Sequence, residues 1–304
     1  MRTVLLLLPG LLLAAPPAPS GDAELRATAL GKPVVLRTTT RTAGAIDSFR
    51  WGGEEFIDTH DHGRQLQSAL NADFEGQFFV ETYNPTEAGS VADGAGPRSS
   101  SVLEGLGIKD GVLSTRTRMA FWLPPGGKSH DRPAFNREAV SGHVLRKSVK
   151  FGCEGVENAL DYSVTFTVPA DRAHRYLQFE VLTGYMPARF SVPLSYVAPL
   201  RDFIPRDPAR AGEVRHPVAL ATADGGLAMG VFLLSRSDGA YAAPGYGSFS
   251  FARERVAKWN VVVRLASEHP IPAGEHRFRC AVVFGTQEDC RTAFRALSDR
   301  FAAR

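Results

Sequence analysis

Cysteine is scarce in this chain: Cys153, Cys280 and Cys290 are the only three among 304 residues. That argues against a disulfide-built scaffold, and the odd number leaves two arrangements open. Either Cys280 bridges to Cys290 with Cys153 free, or all three thiols are reduced. A Gly-x-Ser-x-Gly elbow, a glycine-rich phosphate loop after a strand and a His-Glu-x-x-His pair are all missing. Their absence argues against a serine hydrolase, a nucleotide enzyme and a zincin. Charge of one sign is lacking too. Lys and Arg total 35 against 32 Asp and Glu, a net charge of +3. The signs are interspersed, with no basic stripe for nucleic acid. No apolar run is long enough to anchor in a bilayer. The longest, Val4 to Ala15, is interrupted by Pro9-Gly10, preceded by Arg2 and followed by the small residues Ala18-Pro19-Ser20. Residues 1–20 therefore read as an export signal, with residues 21–304 forming one β domain. The expected location is periplasmic or extracellular, with no membrane contact after cleavage.

What remains is β-rich. Val34 to Thr40 is a β-branched run, and Ala45 to Trp51 alternates before Gly52-Gly53 and Glu55-Phe56-Ile57. Two short strands around Gly-Gly predict a hairpin. Further strands are expected at 160–168, 176–182, 218–222, 227–234, 260–265 and 278–284, with Asp224-Gly225-Gly226 as a second hairpin turn. No helical pattern separates them, so a large antiparallel β-sandwich is predicted. Residues 87–101 and 124–135, rich in Gly, Ser and Pro, read as long surface loops. One helix is expected at the C-terminus, capped by Thr286 with Asp289 three residues on. Cys290, Phe294, Leu297 and Phe301 would share its buried face.

Chemistry-bearing residues concentrate in Thr59-His60-Asp61-His62-Gly63-Arg64-Gln65-Leu66-Gln67. In an extended strand His60 and His62 point the same way. They would serve as an acid/base pair, or hold a divalent metal with His143 or Glu87 as third ligand; the metal is the less favoured of the two. A bulge at Gly63 would bring Arg64 and Gln67 into one cleft beside Asp61, an arrangement suited to an acidic sugar. The alternative for Arg64 is a structural ion pair with an aspartate. Asn84-Pro85-Thr86-Glu87 reads as a rigid turn, projecting Asn84 and offering Glu87 as general acid or base, with Glu81 as second choice. The strand Tyr176 to Leu182 places Tyr176, Gln178 and Glu180 on one face, with Tyr185 following at its end. Lys258-Trp259-Asn260 would complete a sugar platform, though Trp as core filling is commoner.

The hairpin Gly44 to Phe56, followed by antiparallel strands over the rest, resembles the galactose mutarotase-like supersandwich proteins. That resemblance implies a saccharide partner. It carries over no epimerase roles, because no family-type histidine motif aligns with His60, His62 or His143 and no late glutamate with Glu254 or Glu268. The expected function is an exported carbohydrate-active enzyme, a glycoside hydrolase or polysaccharide lyase. Its expected catalytic residues are His60, His62, Glu87 and Glu180. Asp61, Arg64, Gln67, Asn84, Tyr185, Lys258, Trp259 and Asn260 would bind substrate. No cofactor is expected. The alternatives are a non-catalytic sugar-binding protein and a sugar epimerase.

Overall fold

A computed structural model describes residues 19–210 and 212–301. Residues 1–18 of the expected export signal, 1–20, lie outside the described residues. Among the described residues no helix is long and apolar enough to cross a membrane.

The strands form two antiparallel layers. In the first, neighbours run Ala23–Ala29, Lys32–Thr38, Ile46–Trp51, Leu66–Ala72, His174–Pro187, Val256–Ile271, Gly245–Phe251 and Gly212–Val214. In the second they run Val102–Lys109, Val112–Phe121, Val140–Cys153, Val156–Val168, Gly274–Gly285, Ala228–Arg236, Val218–Ala221, Val192–Val197 and Asp202–Pro205. The short strand Pro85–Thr86 pairs with Leu66–Ala72 on one side and Val112–Phe121 on the other, linking the layers. The predicted all-β sandwich is what forms. Both predicted hairpins form as well, Gly52 and Gly53 supplying the left-handed φ values of 60° and 89° that residues with a Cβ rarely adopt.

Alternation sets the core. Leu177, Phe179 and Val181 of one layer face inward with Leu70, Phe49 and Trp259, against Tyr162, Phe166, Phe278 and Phe284 of the other. Phe49 meets Phe284 at 4.8 Å between ring centroids, and Phe179 meets Phe278 at 5.2 Å. Burying each such ring removes ~150–250 Å² from water, the main stabilising term. Three long strands, 102–109, 112–121 and 140–153, escape a search for apolar runs. Their outward positions, such as Arg116, Arg118 and Arg146, are charged and interrupt the apolar residues.

A second apolar cluster lies on the outer face of the second layer, under the helix Gln287–Phe301. Thr286 and Asp289 cap that helix reciprocally: Thr286 Oγ1 accepts from the Asp289 N–H at 3.1 Å, and Asp289 Oδ2 accepts from the Thr286 N–H at 2.9 Å. Cys290, Phe294 and Leu297 are buried there as expected, while Phe301 is half-buried. The Cys280–Cys290 bridge does not form, and all three cysteines are free and buried. Cys280 faces the inter-layer core whereas Cys290 belongs to the cluster under the helix, so a strand lies between them.

Of the two segments read as surface loops, 91–100 and most of 124–135 are exposed or half-buried as expected, whereas 87–90 and Ser101 are buried, and 128–133 make a small hairpin, Lys128–Ser129 with Arg132–Pro133.

Candidate functional site

On its outer face the first layer carries a cleft of about 300 Å³. Its floor follows from strand period and register. Gln178 and Glu180 alternate with the buried Leu177, Phe179 and Val181. Strict alternation would then put Thr183 and Tyr185 inward. A register shift after Glu180, seen against both neighbouring strands, inserts the extra residue that returns them to the cleft. Across the ladder Thr183 pairs with Gln67 and Asn260, Tyr185 with Lys258, and Lys258 with Phe249. Gln178 pairs with Asn71 and Arg264. Val80, Glu81, Asn84 and Trp122 add a wall, and Glu213 closes the far side.

The charged centre is Glu180 with Lys258. Lys258 Nζ lies 3.1 Å from Glu180 Oε2, and the side chains are only 13% and 17% exposed. Thr183 Oγ1 donates to the same carboxylate at 2.9 Å. Burial pushes the Glu180 carboxyl up, but the Lys258 charge and hydrogen bonds from Thr183, Lys258 and Asn260 outweigh it and hold it below the usual range. Burial works against the Lys258 ammonium, and the Glu180 charge overrides it, so its pKa is raised. Burial likewise raises the Tyr185 phenol, opposed by the Lys258 ammonium. That ammonium sits 5.2 Å from the Tyr185 ring centroid and 5.7 Å from that of Phe249. At neutral pH the centre holds a carboxylate, an ammonium and a neutral phenol.

A second ion pair supports the floor. Arg264 grips Glu213 with both terminal nitrogens, at 2.7 and 2.6 Å, and donates from Nε to Gln178 Oε1 at 2.9 Å. On the wall, Glu81 has φ of 69° and accepts from Ser129 Oγ at 2.7 Å. Its backbone N–H is held by Asn71 Oδ1 at 2.9 Å.

Of the residues expected at a site, Gln67, Asn84, Glu180, Tyr185, Lys258 and Asn260 line this one cleft. The others lie elsewhere, each for a local reason. His60 and His62 are not on a strand; residues 60–65 are turns and bends. His62 is buried, with Nδ1 2.7 Å from the Gly94 carbonyl and Nε2 2.8 Å from that of Arg41, so its nitrogens knit loops together rather than face a metal or a sugar. His60 is exposed. Asp61 caps its own turn, accepting from the Gly63 N–H at 2.9 Å, and pairs with Arg64 at 3.1 Å. Arg64 is further occupied by Asp58 and the Glu254 carbonyl. Glu87 lies in the interior, ion-paired to Lys147. Trp259 is fully buried because Lys258 and Asn260 face outward, and a period of two forces the residue between them inward. His143 is buried, with its ring against those of Tyr83 and His174. Among the described residues no group of three or more His, Cys, Asp or Glu is placed to hold a metal ion.

Gln67 is a special case. It lines the cleft, yet its amide is committed to the Gly63 carbonyl at 3.0 Å and the Ala88 N–H at 3.1 Å. Its role there is to hold the turn. Period-two alternation from Gln67 would have pointed to Asn71. Nothing local in the sequence marks Trp122 or Glu213, which loop closure and strand order bring in from far along the chain.

No protein-family model matches this chain, and no curated protein sequence matches it. Solved structures with a similar backbone include an alpha-galactosidase from Lactobacillus brevis, at TM-score 0.46 and 8% identity over 90% of this chain. The Slr1438 protein of Synechocystis sp. PCC 6803 is similar at TM-score 0.45 and 12% identity, over 90% of this chain and 99% of that one. A heparan sulfate lyase HepC mutant from Pedobacter heparinus is similar at TM-score 0.42 and 10% identity over 88% of this chain. This chain spans 40% of the length of the galactosidase and 35% of that of the lyase.

Proposed function

We propose that the protein is an exported, carbohydrate-active enzyme that binds a saccharide in the cleft, with Glu180 as proton acceptor and Tyr185 as hydrogen-bond donor. The observation that carries this reading is the Glu180–Lys258–Tyr185 centre set among amides and aromatic rings. Ionisable groups with shifted pKa values in a concave site mark functional sites more often than chance. Asn71, Asn84, Gln178 and Asn260 supply donors and acceptors for hydroxyls, while Trp122, Tyr185 and Phe249 offer apolar faces to sugar C–H groups. Lys258 keeps Glu180 ionised, so the carboxylate is free to accept a proton from a water or hydroxyl in the cleft, while the same ammonium makes it a weaker base than an ordinary glutamate. The resemblance of the hairpin and strand order to the mutarotase-like sandwiches points to sugars as well.

The experiment is a screen of the purified protein against neutral, amino and uronic oligosaccharides. New reducing ends alone identify hydrolysis; new ends with ultraviolet absorbance identify elimination. In either case E180Q is expected to lower the rate at least a hundredfold with the fold intact. Binding without turnover would instead support a non-catalytic sugar-binding protein. One observation favours that second reading: Lys258 and Glu180 neutralise each other, as do Arg264 and Glu213. Localisation is tested by fractionating the source cells, with the periplasm or medium as the expected place.

A further inference from the structure

The charges of the cleft do not balance. Three carboxylates line it, Glu81, Glu180 and Glu213, and Lys258 is the one cation among the lining residues. Arg264 reaches in from below, but both its terminal nitrogens are spent on Glu213. Lys258 is likewise spent on Glu180. Glu81 is left: among the described residues its carboxylate pairs with no cation, and its one hydrogen bond comes from the neutral Ser129 hydroxyl. The cation expected to meet an acidic sugar, Arg64, is turned to Asp58 and Asp61.

A second feature sits beside Glu81 on the same wall. Asn84 is 7% exposed and Asn71 2%. Asn84 gives its Nδ2 to the Leu70 carbonyl at 2.7 Å, and its Oδ1 makes no hydrogen bond among the described residues. Asn71 accepts the Glu81 N–H with Oδ1 and keeps Nδ2 unpartnered. Both side chains line the cleft, so these free atoms are aimed at whatever enters it. Neither atom is sealed from solvent, so a ligand that pairs with them replaces water at positions the wall already fixes. An acceptor oxygen beside an uncompensated carboxylate matches a cationic donor; the free amide N–H matches a hydroxyl next to it.

From this juxtaposition we propose that the Glu81–Asn84–Asn71 wall is a subsite for a protonated amine, and that the saccharide taken by the cleft is an amino sugar with a free amino group. The inference rests on the saccharide reading and adds its charge class. An N-acetylated unit presents no cation to Glu81, and a uronate or sulfated unit places a like charge against it.

Titration calorimetry at about pH 5.5, where a sugar amine is protonated, tests this with oligomers of equal length. The set is glucosamine, N-acetylglucosamine, glucose and galacturonate tetramers. The free-amine tetramer is expected to bind about tenfold or more tighter than the acetylated and neutral ones, with galacturonate weakest, and the advantage should shrink with added salt. E81Q is expected to bring the amine-to-neutral ratio to about one, while E75Q, an exposed glutamate that does not line the cleft, keeps it. Equal affinities for all four, or a preference for galacturonate, would overturn the amine subsite and leave the saccharide reading standing. A ratio that survives in a folded E81Q protein would overturn the role of Glu81. Binding of none of the saccharides would sink both. The ligand series reads the selectivity on the unmodified protein, so a poorly folding variant does not decide the outcome.

Discussion

Lys147 Nζ lies 2.5 Å from Glu87 Oε1, and neither side chain has any solvent exposure. Lys147 also donates to the Gly44 carbonyl at 2.9 Å, and Glu87 Oε2 accepts the Ser68 N–H at 3.1 Å. The pair ties the first hairpin, the Leu66–Ala72 strand and the Val140–Cys153 strand of the facing layer together through the core. A glutamate that reads in sequence as a candidate acid or base is in this position a buried counter-ion.

Removing one partner strands the other charge in the interior. E87Q or K147M alone is expected to lower unfolding free energy by about 3–5 kcal/mol, as broken buried pairs do. The double variant should lose less than the sum of the two. Urea denaturation checks this. Loss of saccharide turnover in E87Q at unchanged stability would return Glu87 to a catalytic role.

Because Lys258 and the hydrogen-bonding groups around Glu180 hold its carboxyl low, Glu180 stays ionised as pH falls through the usual carboxylate range. Saccharide binding or turnover that needs the carboxylate should therefore persist to lower pH than an ordinary glutamate would allow. In K258M burial acts without its main opponent, so the acidic limb of the profile should move to higher pH. E180Q should weaken binding about 10–100-fold, the range expected for lost hydrogen bonds to a charged group. A pH profile unmoved by K258M would count against the pairing as the controlling contact.

His143 is fully buried, neither ring nitrogen is hydrogen-bonded among the described residues, and its ring lies 6.0 Å from that of His174. Burial, and then the neighbouring His174, lower its pKa from 6.5 to about 3. The unfolded chain thus binds a proton that the folded one refuses between those values. The stability that depends on a neutral His143 is present above about pH 6.5 and is lost as pH falls, at up to about 1.4 kcal/mol per pH unit. H143F or H143L should flatten that acid limb; thermal melts from pH 7 to pH 4 measure it.

All three thiols are buried, and burial raises each of their pKa values, that of Cys153 to about 12. A thiol reagent should find no reactive cysteine in the native protein and three after unfolding. Reductant should leave the melting temperature unchanged. A shift of several degrees with dithiothreitol would show a disulfide after all.

Much of the architecture is legible in the chain because it is local. Alternation of Leu177, Phe179 and Val181 with Gln178 and Glu180 assigns inside and outside to that strand without reference to anything else. The same period, applied to Lys258-Trp259-Asn260, sends Trp259 to the core and its neighbours to the cleft. The Gly52-Gly53 turn and the Thr286–Asp289 cap are likewise short-range consequences of residue type.

The polar density of residues 59–67 is different in kind. Side chains able to do chemistry are also able to satisfy loop backbone, and His62, Asp61 and Gln67 do so. Composition does not distinguish the two uses; only the positions of the Gly94, Arg41 and Ala88 backbone groups do, and these come from other segments. By itself, then, the sequence determined the strands that alternate or run apolar, their two faces, the hairpins, the capped helix and six of the seventeen residues that line the cleft. The tertiary structure decided the remainder, because an extra residue after Glu180 turns Tyr185 outward, because strand order sets Lys258 against Glu180, and because the segment after Pro85–Thr86 packs against the second layer and sets Glu87 against Lys147.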